Sequence, residues 1–294
     1  MPPRVVCDYP CEIGENPLWH PDEGCLYWTD IPRGRLFRYF PATGKHEQVY
    51  QGRVVGGFTL QADGSLLLFM DRGTVAVWRK GEIVRTIIEE LPEELNTRFN
   101  DVIADPEGRV YGGTMSIKDA EGRILRHGRF YRLDRDGSID KLADGIGTSN
   151  GLGFTLDRRT LYYTDTGIKT IWQFDYDQKT GALANQRPFV KVPDRDGEGK
   201  PDGMTVDSQG DIWSARWDGS CCVRYSPAGV EQERLHFPTK RVSSVAFGGP
   251  ELKTMYFTTA GGQDRAAYGA TAGALYAVEA SVPGVPEFRS RISV

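Results

Sequence analysis

"LGFTLDRRTLYYTDTGIKTIWQFDYDQKTG", residues 152–181, decides the fold. "LGF" and "LYYT" flank an acidic turn at Asp157, and "TIWQFDY" alternates apolar and polar residues. That two-residue period belongs to a half-buried strand, and no helical period competes with it. The same plan of strand, acidic or glycine turn, aromatic-rich strand, turn and third strand recurs along the chain. The copies are "PLWHPDEGCLYWTDIPRGRLFRYFPATG" (17–44), "FTLQADGSLLLFMDRGTVAVWRKG" (58–81), "VIADPEGRVYGGTM" with "GRFYRLDRDG" (102–137), "MTVDSQGDIWSARWDGSCCVRYSPAG" (204–229), and "VAFGGPELKTMYFTTA" with "GALYAVEA" (245–280).

The copies repeat every ~40 to 50 residues, the length of a four-stranded propeller blade. Six copies in 294 residues predict an all-β, six-bladed β-propeller around a central channel, built as a single domain over 1–294. A large β-sandwich explains the strands but not the even repeat. "RVVCDYP", residues 4–10, precedes the first copy and is expected to add a strand to the last blade, closing the ring and removing the open edges.

Composition excludes several classes of protein. Net charge is −4, with acids and bases mixed and no basic block to neutralise a phosphate backbone, so nucleic acid is not an expected partner. No apolar run is long enough for a membrane span, and the N-terminus lacks the apolar stretch of a secretory signal. Cys7, Cys11, Cys25, Cys221 and Cys222 are odd in number and without metal-site spacing, which predicts reduced, structural thiols and a cytoplasmic protein. The expected state is a monomer or weak homo-oligomer. His20, His46, His127 and His236 are scattered and expected in turns or on the surface. There is no phosphate loop.

One place in the repeat is polar where a core strand begins. About eight residues before each first turn, the copies carry Glu15, Gly56, Asn100, Asn150, Asp202 and Ser243 or Ser244. Alone, "NG", "ND" and "DG" are turn dipeptides. At equivalent positions of a ring, however, the two carboxylates and two carboxamides converge on one axis. Oxygen groups gathered in this way repel one another unless a cation sits among them, and oxygen-only ligation suits a hard divalent ion.

These phrases also carry a family resemblance. "GENPLW", "YWTDI", "RFND", "DPEGRVYGGTM", "SNGLGFTLD", "YYTDT", "PDGMTVDSQGDIW" and "FGGPELKTMYFTTA" occur in the order and spacing of the senescence marker protein/regucalcin/gluconolactonase family, which the chain resembles over nearly its whole length. The resemblance implies a metal-dependent sugar lactonase that opens an aldonolactone to the aldonic acid. It implies Glu15, Asn150 and Asp202 as ligands of one divalent cation, with Ca²⁺ expected and Zn²⁺, Mn²⁺, Mg²⁺ or Fe²⁺ as alternatives. Asp202 would also be the general base, and Arg98 and Asn100 would hold the substrate. Where the family carries an acid after "GTM", this chain has Ile117 and Lys118, so Lys118 joins the candidate substrate contacts and a lactone other than the glucono type is expected. A metal-dependent phosphotriesterase on the same scaffold and a non-enzymatic calcium-binding propeller are the competing readings.

Overall fold

A computed structural model describes residues 2–293. Among these residues, six four-stranded antiparallel sheets form a six-bladed propeller. Their innermost strands are Gly14–His20, Val55–Leu60, Phe99–Ala104, Ser149–Phe154, Lys200–Val206 and Val242–Gly248, for blades 1 to 6. Each of these strands packs beside the next and the sixth beside the first, so they line a closed channel. Strand Arg4–Cys7 pairs antiparallel with Leu275–Glu279 as the outermost strand of blade 6, the ring closure expected from "RVVCDYP".

The acidic turns are built by their own side chains. Asp207 Oδ1 accepts from the Gln209 and Asp211 amides at 2.9 and 3.1 Å, while Oδ2 takes the Trp213 indole and the Arg224 guanidinium. Asp105 does the same with the Glu107 and Arg109 amides. An aspartate that caps its own turn competes well with other loop conformations, hence the repeated Asp-x-x-Gly pattern. Between the blades, Tyr27, Trp28 and Trp213 are buried and Trp172 is partly buried, as expected of inter-blade packing.

All five cysteines are buried and unpaired, and burial pushes the Cys7, Cys11 and Cys25 thiols up to about 12. His20 departs from the surface placement expected for it. It ends an inner strand, is buried, and lies 3.0 Å through Nε2 from the Gly64 carbonyl oxygen. No helix among the described residues is long and apolar enough to cross a membrane.

The C-terminal segment crosses the face of the ring opposite the starts of the inner strands. Its backbone bonds to blade 2 (Ser290 N to Leu60 O), blade 3 (Arg291 N to Gly108 O), blade 5 (Ser208 N to Pro283 O) and blade 6 (Gly284 N to Leu252 O), each at 2.8–2.9 Å. Glu287 and Phe288 thereby close the lower channel, whose upper end is lined by Asp101.

Candidate active site

Every inner strand carries a β-bulge at the position singled out in the repeats. Pairing with the second strand shifts between Glu15 and Leu18, Val55 and Gly57, Phe99 and Val102, Asn150 and Leu152, Pro201 and Met204, and Val242 and Ser244. A bulge adds a residue to one strand and re-aims its side chain. Here it turns polar groups toward the channel while the following residues resume core packing. Asp30 and Asp165, the acids of "YWTD" and "YYTD", hold the approach. Asp30 accepts from the Ile13 amide, and Asp165 accepts from the Gly147 and Thr148 amides, each at 3.1 Å.

The resulting cluster is Glu15, Arg98, Asn100, Asp101, Asn150 and Asp202. Glu15 and Asp202 are only 3% and 2% exposed. Arg98 Nη1 donates to the Phe99 carbonyl at 2.9 Å and also to Asn100 Oδ1. Asn100 Nδ2 then donates to Asn150 Oδ1 and to the Ser149 carbonyl, the latter at 2.7 Å. Asn150 Nδ2 donates to Thr166 Oγ1 at 2.7 Å, and that hydroxyl donates to the Pro201 carbonyl at 2.6 Å. A relay therefore runs from Arg98 through both amides to blade 5, and it fixes the Asn150 carboxamide with its oxygen toward Asn100 and its nitrogen toward Thr166.

The electrostatics of the acids are uncompensated. Burial first, then the neighbouring Asp202 and Asp101, holds the Glu15 carboxyl well above the usual carboxylate range. Burial and Asp101 do the same to Asp202, against the pull of Arg98. Asp101 is pushed up to about 7 by burial, with Arg98 opposing, and burial lowers the Arg98 guanidinium to about 10. Asp202 Oδ1 and Asp101 Oδ1 are buried without a hydrogen-bond partner. Buried charged oxygens are normally partnered, because leaving them bare is expensive. When ionised, three carboxylates facing one guanidinium carry two negative charges in excess, which one divalent cation would neutralise. The donors are all oxygen, and they fit a hard cation held by Glu15, Asn150 and Asp202. No three His, Cys, Asp or Glu side chains gather at ligand spacing among the described residues; the set here is two acids and an amide.

The expected residues do not all meet. Asn100 lies in the cluster, but its amide is engaged with Arg98 and Asn150, so it orients a ligand. Lys118 is exposed on a small hairpin of Ile117–Lys118 and Ile124–Arg126, with no bond to the cluster. Asp119, the nearest acid to the missing family position, caps that hairpin by accepting from the Glu121 and Arg123 amides and pairing with the Arg123 guanidinium. Sequence reasoning left Asp101 without a role; its only signal was its place beside Asn100 in a polar strand entry.

Fold and cluster together define a channel-mouth propeller whose oxygen-rich pocket suits a divalent cation. Residues 13–261 match the model of the SMP-30/gluconolactonase/LRE-like region, and the chain belongs to that family. It is 47% identical to the pentonolactonase XacC of Haloferax volcanii, over 98% of both chains. It is 35% identical to the regucalcin of Xenopus laevis, over 85% of this chain and 83% of that one. A solved luciferin-regenerating enzyme superposes with a TM-score of 0.89 at 28% identity, covering 99% of this chain and all of that one.

Proposed function

We propose that residues 1–294 act as one propeller that hydrolyses a sugar lactone, an aldonolactone, to the aldonic acid with the help of a bound divalent cation. The observation that carries this reading is the buried cluster of Glu15, Asp101 and Asp202 at the mouth of the channel, whose mutual repulsion and burial oppose ionisation unless a cation joins them. A polar cluster that costs folding energy without a cation has a reason to persist when it binds and reacts. The likeness to a pentonolactonase over the whole chain supports the substrate class.

The chemistry is acyl transfer to water. The bond from the carbonyl carbon to the ring oxygen breaks, a bond to the water oxygen forms, and an aldonate, a freed hydroxyl and a proton result. A bound cation supplies stabilisation of the negative charge that develops on the carbonyl oxygen. Asp202 accepts the proton of the attacking water, and its bare Oδ1 is the atom available to do so. The Asn100–Asn150–Thr166 relay keeps the pocket wall rigid while this happens. Arg98 has spent Nη1 on the protein and offers the rest of its fork to substrate hydroxyls. Ca²⁺ is the first cation to test, with Mn²⁺, Zn²⁺, Mg²⁺ and Fe²⁺ beside it.

The test is to chelate the protein, reload it with each cation, and follow acid release from a panel of pentono- and hexonolactones. Turnover that needs the cation, and falls by about a thousand-fold in Asp202→Ala, is the expected result. Undiminished turnover in chelated protein or in Asp202→Ala would remove the mechanism, and no turnover with any cation and lactone would remove the function.

A further inference from the structure

Arg241 stands in blade 6 where Arg98 stands in blade 3, directly before the inner strand. In a ring of six, blades 3 and 6 face each other across the axis. The two arginines thus lead into inner strands on opposite sides of the ring. Arg241 is unusually well fixed for a rim residue. Its guanidinium carbon lies 4.6 Å from the Trp217 ring centre and 3.6 Å from that of Tyr268, a sandwich between two aromatic faces. Nε donates to Asp218 Oδ1 at 3.0 Å, which sets the rotation of the plane. Gly262 leaves the space this needs, since a Cβ there would come within 3.0 Å of the Tyr268 ring and 3.4 Å of Arg241 Nη1. Asp218 follows the second strand of blade 5, Ile212–Trp217, whose Trp217 pairs with Lys200, two residues before Asp202.

Among the described residues, nothing accepts from Nη1 or Nη2 of Arg241. Its side chain is 19% exposed, so these donors are reachable but most of the side chain is covered. Ordering a long side chain between two rings has an entropy cost, which is already met in the folded protein. A donor fork held in advance binds more strongly than one that must be ordered by its ligand. Paired with Asp218, the group carries little net charge, so it suits neutral hydroxyls better than a second anion.

We propose that Arg241 is a second substrate-binding residue, receiving the hydroxyls of the lactone at the end remote from the carbonyl. The proposal rests on the lactonase reading, and it makes the substrate a polyhydroxylated lactone long enough to span from Arg98 to blade 6. Neither an unsubstituted lactone nor an apolar ester would use the fork.

The experiment compares Arg241→Met and Arg241→Lys with wild type, cation-loaded, on a pentonolactone and on an unsubstituted five-membered lactone. The expected result for Arg241→Met is a KM for the pentonolactone raised about ten- to a hundred-fold, with kcat within about three-fold. KM for the unsubstituted lactone should rise less than about two-fold, and Arg241→Lys should fall between. An equal rise for both lactones, or no rise for the pentonolactone, would overturn the proposal. If Arg241→Met does not fold, Arg241→Lys, which keeps stem and charge between the rings, is judged by the same split. Calorimetric titration of the corresponding aldonate into wild type and variants needs no turnover. Binding weakened at least ten-fold supports the role, while equal binding, or none by wild type, overturns it. Wild type that turns over no lactone yet binds the aldonate through Arg241 would remove the lactonase reading and leave the Arg241 site standing.

Discussion

Asp101 shows how much a single charge decides here. It is 7% exposed, one of its oxygens has no partner, and it raises the cost of ionising both Glu15 and Asp202. Without a cation it destabilises its neighbours; with one it supplies part of the field that holds the ion. Asp101→Asn is isosteric and removes one of the two excess negative charges. Cation affinity should fall about ten- to a hundred-fold, as for other groups that tune a metal site from just outside its ligands. The direct measurement is a calorimetric titration with Ca²⁺ or Mn²⁺, and unchanged affinity would show that the charge balance does not govern binding. A residue of this kind is hard to read from sequence. "RFND" displays Asn100 and Asp101 side by side, but only the bulge, which no local signal announces, turns both inward.

At the scale of the element, the bulged strand entry is the unit of construction. Its repeat position was legible in the sequence, as were the strand order, the blade count and the ring closure, because alternation, acidic turns and aromatic strands recur at even spacing. The purpose of the glycines was not legible. "NG" and "DG" read as turns, yet Gly151 and Gly203 sit within inner strands where the next blade comes too close for a side chain. A Cβ on Gly151 would lie 2.6 Å from the Asp202 carbonyl oxygen, and one on Gly203 would lie 2.5 Å from Ser244 Cβ. Each glycine thus sets the distance between one site residue's strand and the next. Gly203→Ala should cost about 1–3 kcal/mol through overpacking, and should also lower activity by displacing Asp202. Urea unfolding gives the first quantity and initial rates give the second. An alanine variant with wild-type midpoint and wild-type rate would show that the contact relaxes freely. Insertions into the repeat were equally opaque. The hairpin after Met115 breaks the alignment with the family at the one position where a substrate contact was sought, and its acids turn out to serve its own turn.

The whole molecule closes its ring by joining both ends of the chain to it, one as a strand of blade 6 and the other as a cover over the lower channel. A closed ring has no open edge to relax, so the repulsion among the acids at its mouth acts on the stability of the entire fold. The sign follows from the direction of the shifts. In chelated protein, Glu15, Asp101 and Asp202 hold their protons more tightly when folded than unfolded. Folding is therefore favoured by these groups at low pH, and that contribution disappears as pH rises from their unfolded values, about 4, through the folded value of about 7 reached by Asp101. A bound cation reverses the effect, because it selects the ionised acids and is itself expelled when they protonate. The melting temperature of chelated protein should therefore fall relative to cation-loaded protein as pH rises from 4.5 to 7.5, opening a gap of about 5–10 °C at a cation concentration a hundred times Kd. Scanning both forms across that range checks it without any assay of activity. A gap that stays constant with pH would mean that the acids are not what the cation stabilises, and the absence of any gap would leave the excess charge at the mouth of this propeller without a counter-ion.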